Sequence, residues 1–226
     1  MMVDIETAGT SPGSAILSIG AVDFGSKYEK DFTSMYKEDA TRHFFRAIDL
    51  WSSLMSGLTV DQGTLDWWRK QEKKARDMAQ PDGRVTLVAA LEAFEGYLGG
   101  KVARNVRLWA KGPDFDIVMI HAAYRAVGRD IPWSYRRVRD VRTIVALAGG
   151  RVRERDPKKV GMVEHNPVDD ALLQAEAVRE AYAVLGVDMD HDYDKDDVDA
   201  AVIQDAAEAA RSLAVGPSST GGLLPR

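Results

Sequence analysis

Two short segments rich in branched and apolar side chains, residues 3–6 and 16–24, stand at the head of the chain before any helical pattern begins. The second is bounded by Gly13 and Gly25, and such a run reads as a strand. A third strand is plausible at 30–37, followed by a polar and aromatic linking region to about Gly63. Residues 64–79 read as a helix that ends before the turn signal Pro81-Asp82-Gly83. Leu87, Val88, Leu91, Phe94, Tyr97 and Leu98 recur at helical spacing, which predicts a second helix over 86–98. A strand at 106–110 then passes through Lys111-Gly112-Pro113 into a helix at about 114–127. A short helix is expected at 140–147, a charged loop at 151–161, and a long helix opened by Asn166 as N-cap with Pro167 at its first position. Strands first, then helices alternating with further strands, predict a mixed α/β layer.

Charge divides the chain unevenly. Residues 188–226 hold nine acids against three bases, net −6, which leaves +1 for residues 1–187. Residues 136–159 alone hold nine bases against three acids. Such a stretch is either a solvated loop or a track for a phosphate backbone. We expect one domain over 1–187, then an acidic helical extension and a Gly/Ser/Pro-rich, disordered tail within 188–226. The chain has no cysteine, which excludes disulfides and thiolate zinc sites. It shows no signal peptide and no apolar run of membrane-spanning length, so a cytoplasmic protein with no membrane partner is expected.

Three places concentrate chemistry. Asp4 and Glu6 lie two apart on a strand, so both carboxylates point to one face among apolar neighbours. They are either solvated acids at a strand end or ligands of a hard cation such as Mg²⁺ or Mn²⁺. Asp116 lies where a strand passes into a helix and is followed at once by Ile117-Val118-Met119-Ile120, whereas Asp114 suits ordinary capping. His165-Asn166-Pro167-Val168-Asp169-Asp170 forms the third place. There Asp169 suits the cap and dipole of the long helix. Trp67 and Trp68 are adjacent on a helix and point about 100° apart, so they cannot fill the same core. Either could stack on a base or pack inside.

Taken in order, Asp4-x-Glu6, Phe115-Asp116 and His165-(four residues)-Asp170 resemble the motifs of the DEDDh (DnaQ-like) 3′–5′ exonucleases, the family of the polymerase proofreading subunit. The strand Ile16-Leu17-Ser18-Ile19-Gly20-Ala21-Val22 is similar to the family's second strand. Thr64-Leu65-Asp66-Trp67-Trp68-Arg69-Lys70-Gln71 and Asp140-Val141-Arg142-Thr143 resemble a narrower branch, the phage exonuclease A-type exodeoxyribonucleases and a related bacterial exoribonuclease domain. The likeness spans roughly residues 1–185. It departs at Lys111 and Pro113-Asp114, where relatives usually carry small or amide residues.

The resemblance implies a ribonuclease H-like α/β fold, with a mixed five-stranded sheet that has one antiparallel strand and flanking helices. It implies release of nucleoside 5′-monophosphates from the 3′ end of single-stranded DNA or RNA. Two Mg²⁺ ions about 4 Å apart would do this, with Mn²⁺ able to substitute. Asp4, Glu6, Asp116 and Asp170 would hold the metals and His165 would be the general base. Carboxylates are expected to raise the pKa of His165 and bound ions to lower it. Thr7, Trp67 and Trp68 are expected to bind substrate, and a homodimer is compatible with the reading. The alternatives are an endonuclease of the same fold and a catalytically silent nucleic-acid-binding domain.

Overall fold

The computed structural model describes residues 1–25, 42–152 and 155–189. The chain divides into two units, Met1–Asp190 and His191–Arg226, and every described residue belongs to the first. Five strands form one sheet: β1 (Met2–Thr7), β2 (Ile16–Val22), β3 (His43–Ala47), β4 (Leu108–Ala110) and β5 (Val138–Asp140), ordered β3-β2-β1-β4-β5. β1 pairs antiparallel with β2 and parallel with β4. β3 pairs antiparallel with β2, and β5 parallel with β4. β2 therefore runs against the other four, as in the ribonuclease H-like α/β fold.

Seven α-helices flank the sheet among the described residues: α1 (Leu50–Met55), α2 (Gln62–Lys70), α3 (Lys73–Ala79), α4 (Leu87–Tyr97), α5 (Asp116–Ala126), α6 (Val141–Leu147) and α7 (Pro167–Leu185). None of the described helices is long and apolar enough to cross a membrane.

The alternation of β1 sorts the molecule into two cores. Val3 and Ile5 face α4 and α5, packing with Leu91, Phe94, Met119, Ile120 and Tyr124. Met2 faces α7, packing with Val22, Trp109, Val168, Leu172 and Val178. Asp4 and Glu6 share the Met2 side by the same alternation. β2 is buried along its whole length because both sheet faces are covered. Gly20, which pairs with Asp4 across the β1–β2 ladder, lets α7 settle directly on the sheet. A Cβ there would lie 2.3 Å from the Pro167 carbonyl carbon.

Several local expectations change. Residues 30–37 lie outside the described residues, as do 194–214 and 216–226. The third described strand is instead His43–Ala47, inside the expected linking region; it pairs with Ser18–Val22 of β2 although only Phe44 and Ala47 are buried. β5 is a further short strand ahead of α6, and Asp140 caps that helix by accepting from the Arg142 and Thr143 amides. The helix expected over 64–79 is two helices. Gln71 Nε2 donates to the Trp67 carbonyl and Arg76 Nη1 to the Arg69 carbonyl, satisfying groups freed by the break. Asp114 does not cap α5, whose N-cap position is Phe115. Asn166 caps α7 as expected, its side chain accepting from the Val168 amide.

Candidate active site

Three separated segments bring their polar side chains to one end of the sheet. β1 contributes Asp4 and Glu6, the start of α5 contributes Asp116, and the approach and first turn of α7 contribute His165 and Asp170. One donor atom each from Glu6, His165 and Asp170 lies within 4.8 Å of the others. His165 Nδ1 is 4.0 Å from Glu6 Oε1. The Asp170 carboxylate accepts from the His165 backbone amide at 3.0 Å. That bond holds His165 in a left-handed conformation, φ +63°, which no other described non-glycine residue adopts. Such strain persists only where neighbours over-determine it, and here it turns the imidazole toward the carboxylates.

Gln174 lies one helical turn beyond Asp170, on the same face of α7. Its Nε2 donates to Asp4 Oδ1 at 2.8 Å, while its buried Oε1 has no protein partner. The i, i+4 spacing from Asp170 is a signal that could have drawn attention to Gln174 in the sequence. Asp169 turns away and accepts from the Val163 amide at 2.8 Å, tying the loop to the helix.

The carboxylates strain against one another. Desolvation pushes Asp4 well above the ordinary carboxylate range, with Asp116 and Asp170 adding to it; the Gln174 bond and the Lys111 charge oppose the rise. Desolvation likewise raises Glu6, with Asp4, Asp170 and Asp116 contributing. Burial raises Asp116 to about 7 against the Ile5 backbone amide, and Asp170 to about 7 against the His165 amide. Four acids that resist ionisation together form a donor set that a hard divalent cation would relieve, and hard oxygen ligands suit such an ion. The residues therefore fit the metal that the sequence implied. His165 is shifted down from its ordinary value because burial outweighs the raising effect of Glu164. The expected influence of neighbouring carboxylates is thus present but is not the dominant one.

The site opens between two differently built walls. One cavity, of about 470 Å³, is lined by Ile5, Glu6, Thr7, Trp67, Trp68 and Phe115 among others. Trp68 is buried at 7 % exposure and its Nε1 donates to the Thr7 carbonyl at 2.9 Å; Trp67 is 41 % exposed. Both rings meet His165 edge-on, with centroids 4.9 Å and 5.9 Å away. The Thr7 hydroxyl donates to the Gly9 carbonyl within the β1–β2 connection. The other cavity, of about 340 Å³, is lined by Asp4, Lys111, Arg155, His165, Asp170 and Gln174 among others.

This constellation narrows the chain's relationships. No curated protein matches the sequence. Residues 1–182, spanning every residue of the site, match a family model described as the 3′-5′ exoribonuclease Rv2179c-like domain, and the chain belongs to that family.

Proposed function

We propose that the chain is a metal-dependent DEDDh-type 3′–5′ exonuclease that releases nucleoside 5′-monophosphates from single-stranded nucleic acid. The family is one of exoribonuclease-like domains, which makes nucleic acid the substrate class. The observation that carries the finer reading is the gathering of four carboxylates, all raised chiefly by burial, around a strained histidine whose pKa burial lowers from its ordinary value.

Asp4, Glu6, Asp116 and Asp170 would hold two divalent ions, Mg²⁺ by the chemistry of their oxygens. When bound, the ions supply positive charge at the scissile phosphate and lower the pKa of water. An imidazole nitrogen of His165 accepts the proton of the attacking water. The water oxygen bonds to phosphorus, the bond from phosphorus to the 3′-oxygen breaks, and that oxygen leaves with a proton from solvent. Asp170 positions His165 through the backbone amide. Gln174 orients Asp4. Trp67 offers a stacking face to the terminal base while Trp68 holds it from behind through Thr7.

The test is Mg²⁺-dependent release of mononucleotides from 3′-labelled single strands, with matched DNA and RNA side by side. Stepwise release of 5′-monophosphates supports the reading. Internal cleavage would point to an endonuclease of this fold, and binding without cleavage to a silent binding domain.

A further inference from the structure

Lys111 is the first residue after β4. The parallel pairing sets Trp109 opposite Met2, so two residues further along each strand Lys111 comes level with Asp4. Trp109 packs in the α7-side core with Met2, and alternation sends Lys111 to the same side as Asp4. It lines the polar cavity with Asp4, His165, Asp170 and Gln174. The turn behind it is fixed. Gly112 takes φ +108°, the Phe115 amide donates to its carbonyl at 2.8 Å, and a Cβ on it would strike the Arg142 guanidinium at 2.3 Å.

Charge balance says what a cation there is for. Four ionised carboxylates are matched by two divalent ions, so a phosphodiester brings one negative charge that nothing among them offsets. Reaction adds charge to the phosphate, and a fixed ammonium in a partly dehydrated cleft stabilises it more than water would. We infer that Lys111 is a phosphate-binding residue, its ammonium donating to a non-bridging oxygen of the scissile phosphate and then of the released 5′-phosphate; this rests on the exonuclease reading above. The reach of its charge to Asp4 and Asp170, both of which it lowers, agrees with that placement.

The experiment compares calorimetric binding of uridine 5′-monophosphate and of uridine, in Mg²⁺, for wild type, K111M, K111Q and K111R. Wild type should prefer the phosphorylated ligand by at least about tenfold, the size of one charge-assisted contact. Both neutral variants should lose about tenfold of that preference without changing uridine affinity, and K111R should keep part of it. Mn²⁺ affinity without nucleotide should stay level or tighten in K111M. A neutral variant with the wild-type preference would overturn the assignment and leave Lys111 a counter-ion of the carboxylates. Wild type that neither cleaves single strands nor prefers the phosphorylated ligand would overturn the exonuclease reading together with this one.

Discussion

The two walls of the cleft are built in opposite ways. The aromatic wall rests on one helix, where Trp67 and Trp68 are neighbours in sequence and helical geometry splits them between surface and core. The polar wall is assembled from Asp4, Lys111, His165, Asp170 and Gln174, which meet only because β4 lies beside β1 and α7 packs on β1 and β2. The first can be damaged by a single local change, and on the proposed function its loss should weaken binding. The second stores unfavourable charge, and on the proposed function its loss should remove chemistry. Stability and activity should therefore respond in opposite directions on the two walls.

The largest effect should come from the polar wall. Asp4→Ala or Asp116→Ala should bring turnover down to background while the metal-free melting temperature stays level or rises, since each removes one of the mutually repelling carboxylates. Single-turnover assays beside calorimetric melts in EDTA check both halves, and near wild-type turnover in either variant would sink the ligand assignment. His165→Ala comes next. Turnover should fall by roughly 10²–10⁴-fold, the usual contribution of a positioned base. Mn²⁺ affinity should be largely kept. If Mn²⁺ affinity were lost, His165 would join the ligands, as its nearness to Glu6 and Asp170 allows.

On the aromatic wall the two tryptophans should part company. Trp68→Ala removes a buried ring and its bond to Thr7, and should cost about 3–5 kcal/mol of stability. Trp67→Ala should leave the melting temperature nearly unchanged and weaken single-strand binding by about 1–3 kcal/mol, the worth of one stacked base. Equal destabilisation by both, or unchanged binding in Trp67→Ala, would erase the contrast between them.

The smallest effect concerns pH. Asp116 and Asp170 have folded-state values raised to about 7, so protonation favours the metal-free fold. That stabilisation is complete below the unfolded carboxylate value of about 4 and is lost as pH rises through about 7. The metal-free melting temperature should fall across that window more in wild type than in Asp116→Asn, and saturating Mg²⁺ should flatten the fall at its upper end. Identical slopes in the two proteins, measured by scanning calorimetry, would mean that burial does not raise the Asp116 carboxyl as described.

Much of the site was legible because its key pieces carry short-range signals. Alternation alone puts Asp4 and Glu6 on one face of β1, and the Asn166-Pro167 cap starts α7 so that Asp170 falls in its first turn. Other features were not legible, for equally physical reasons. β3 and β5 are short, and the pairing that makes them strands belongs to β2 and β4. The break at Gln71 has no proline or glycine to announce it; side-chain bonds to Trp67 and Arg69 carbonyls make it affordable.

By itself, then, the sequence determined β1, β2 and β4, the carboxylate face of β1, the cap of α7 and the match of residues 1–182 to an exoribonuclease-like family. Only the tertiary structure decided which tryptophan is exposed, that His165 is held at φ +63° by Asp170, that Gln174 reaches Asp4, and that Lys111 faces the same cleft. Periodicity and capping act within a turn or two of the chain. Burial and charge repulsion depend on distances between residues as far apart as Asp4 and Gln174, and those distances exist only once α7 has closed over the sheet at Gly20.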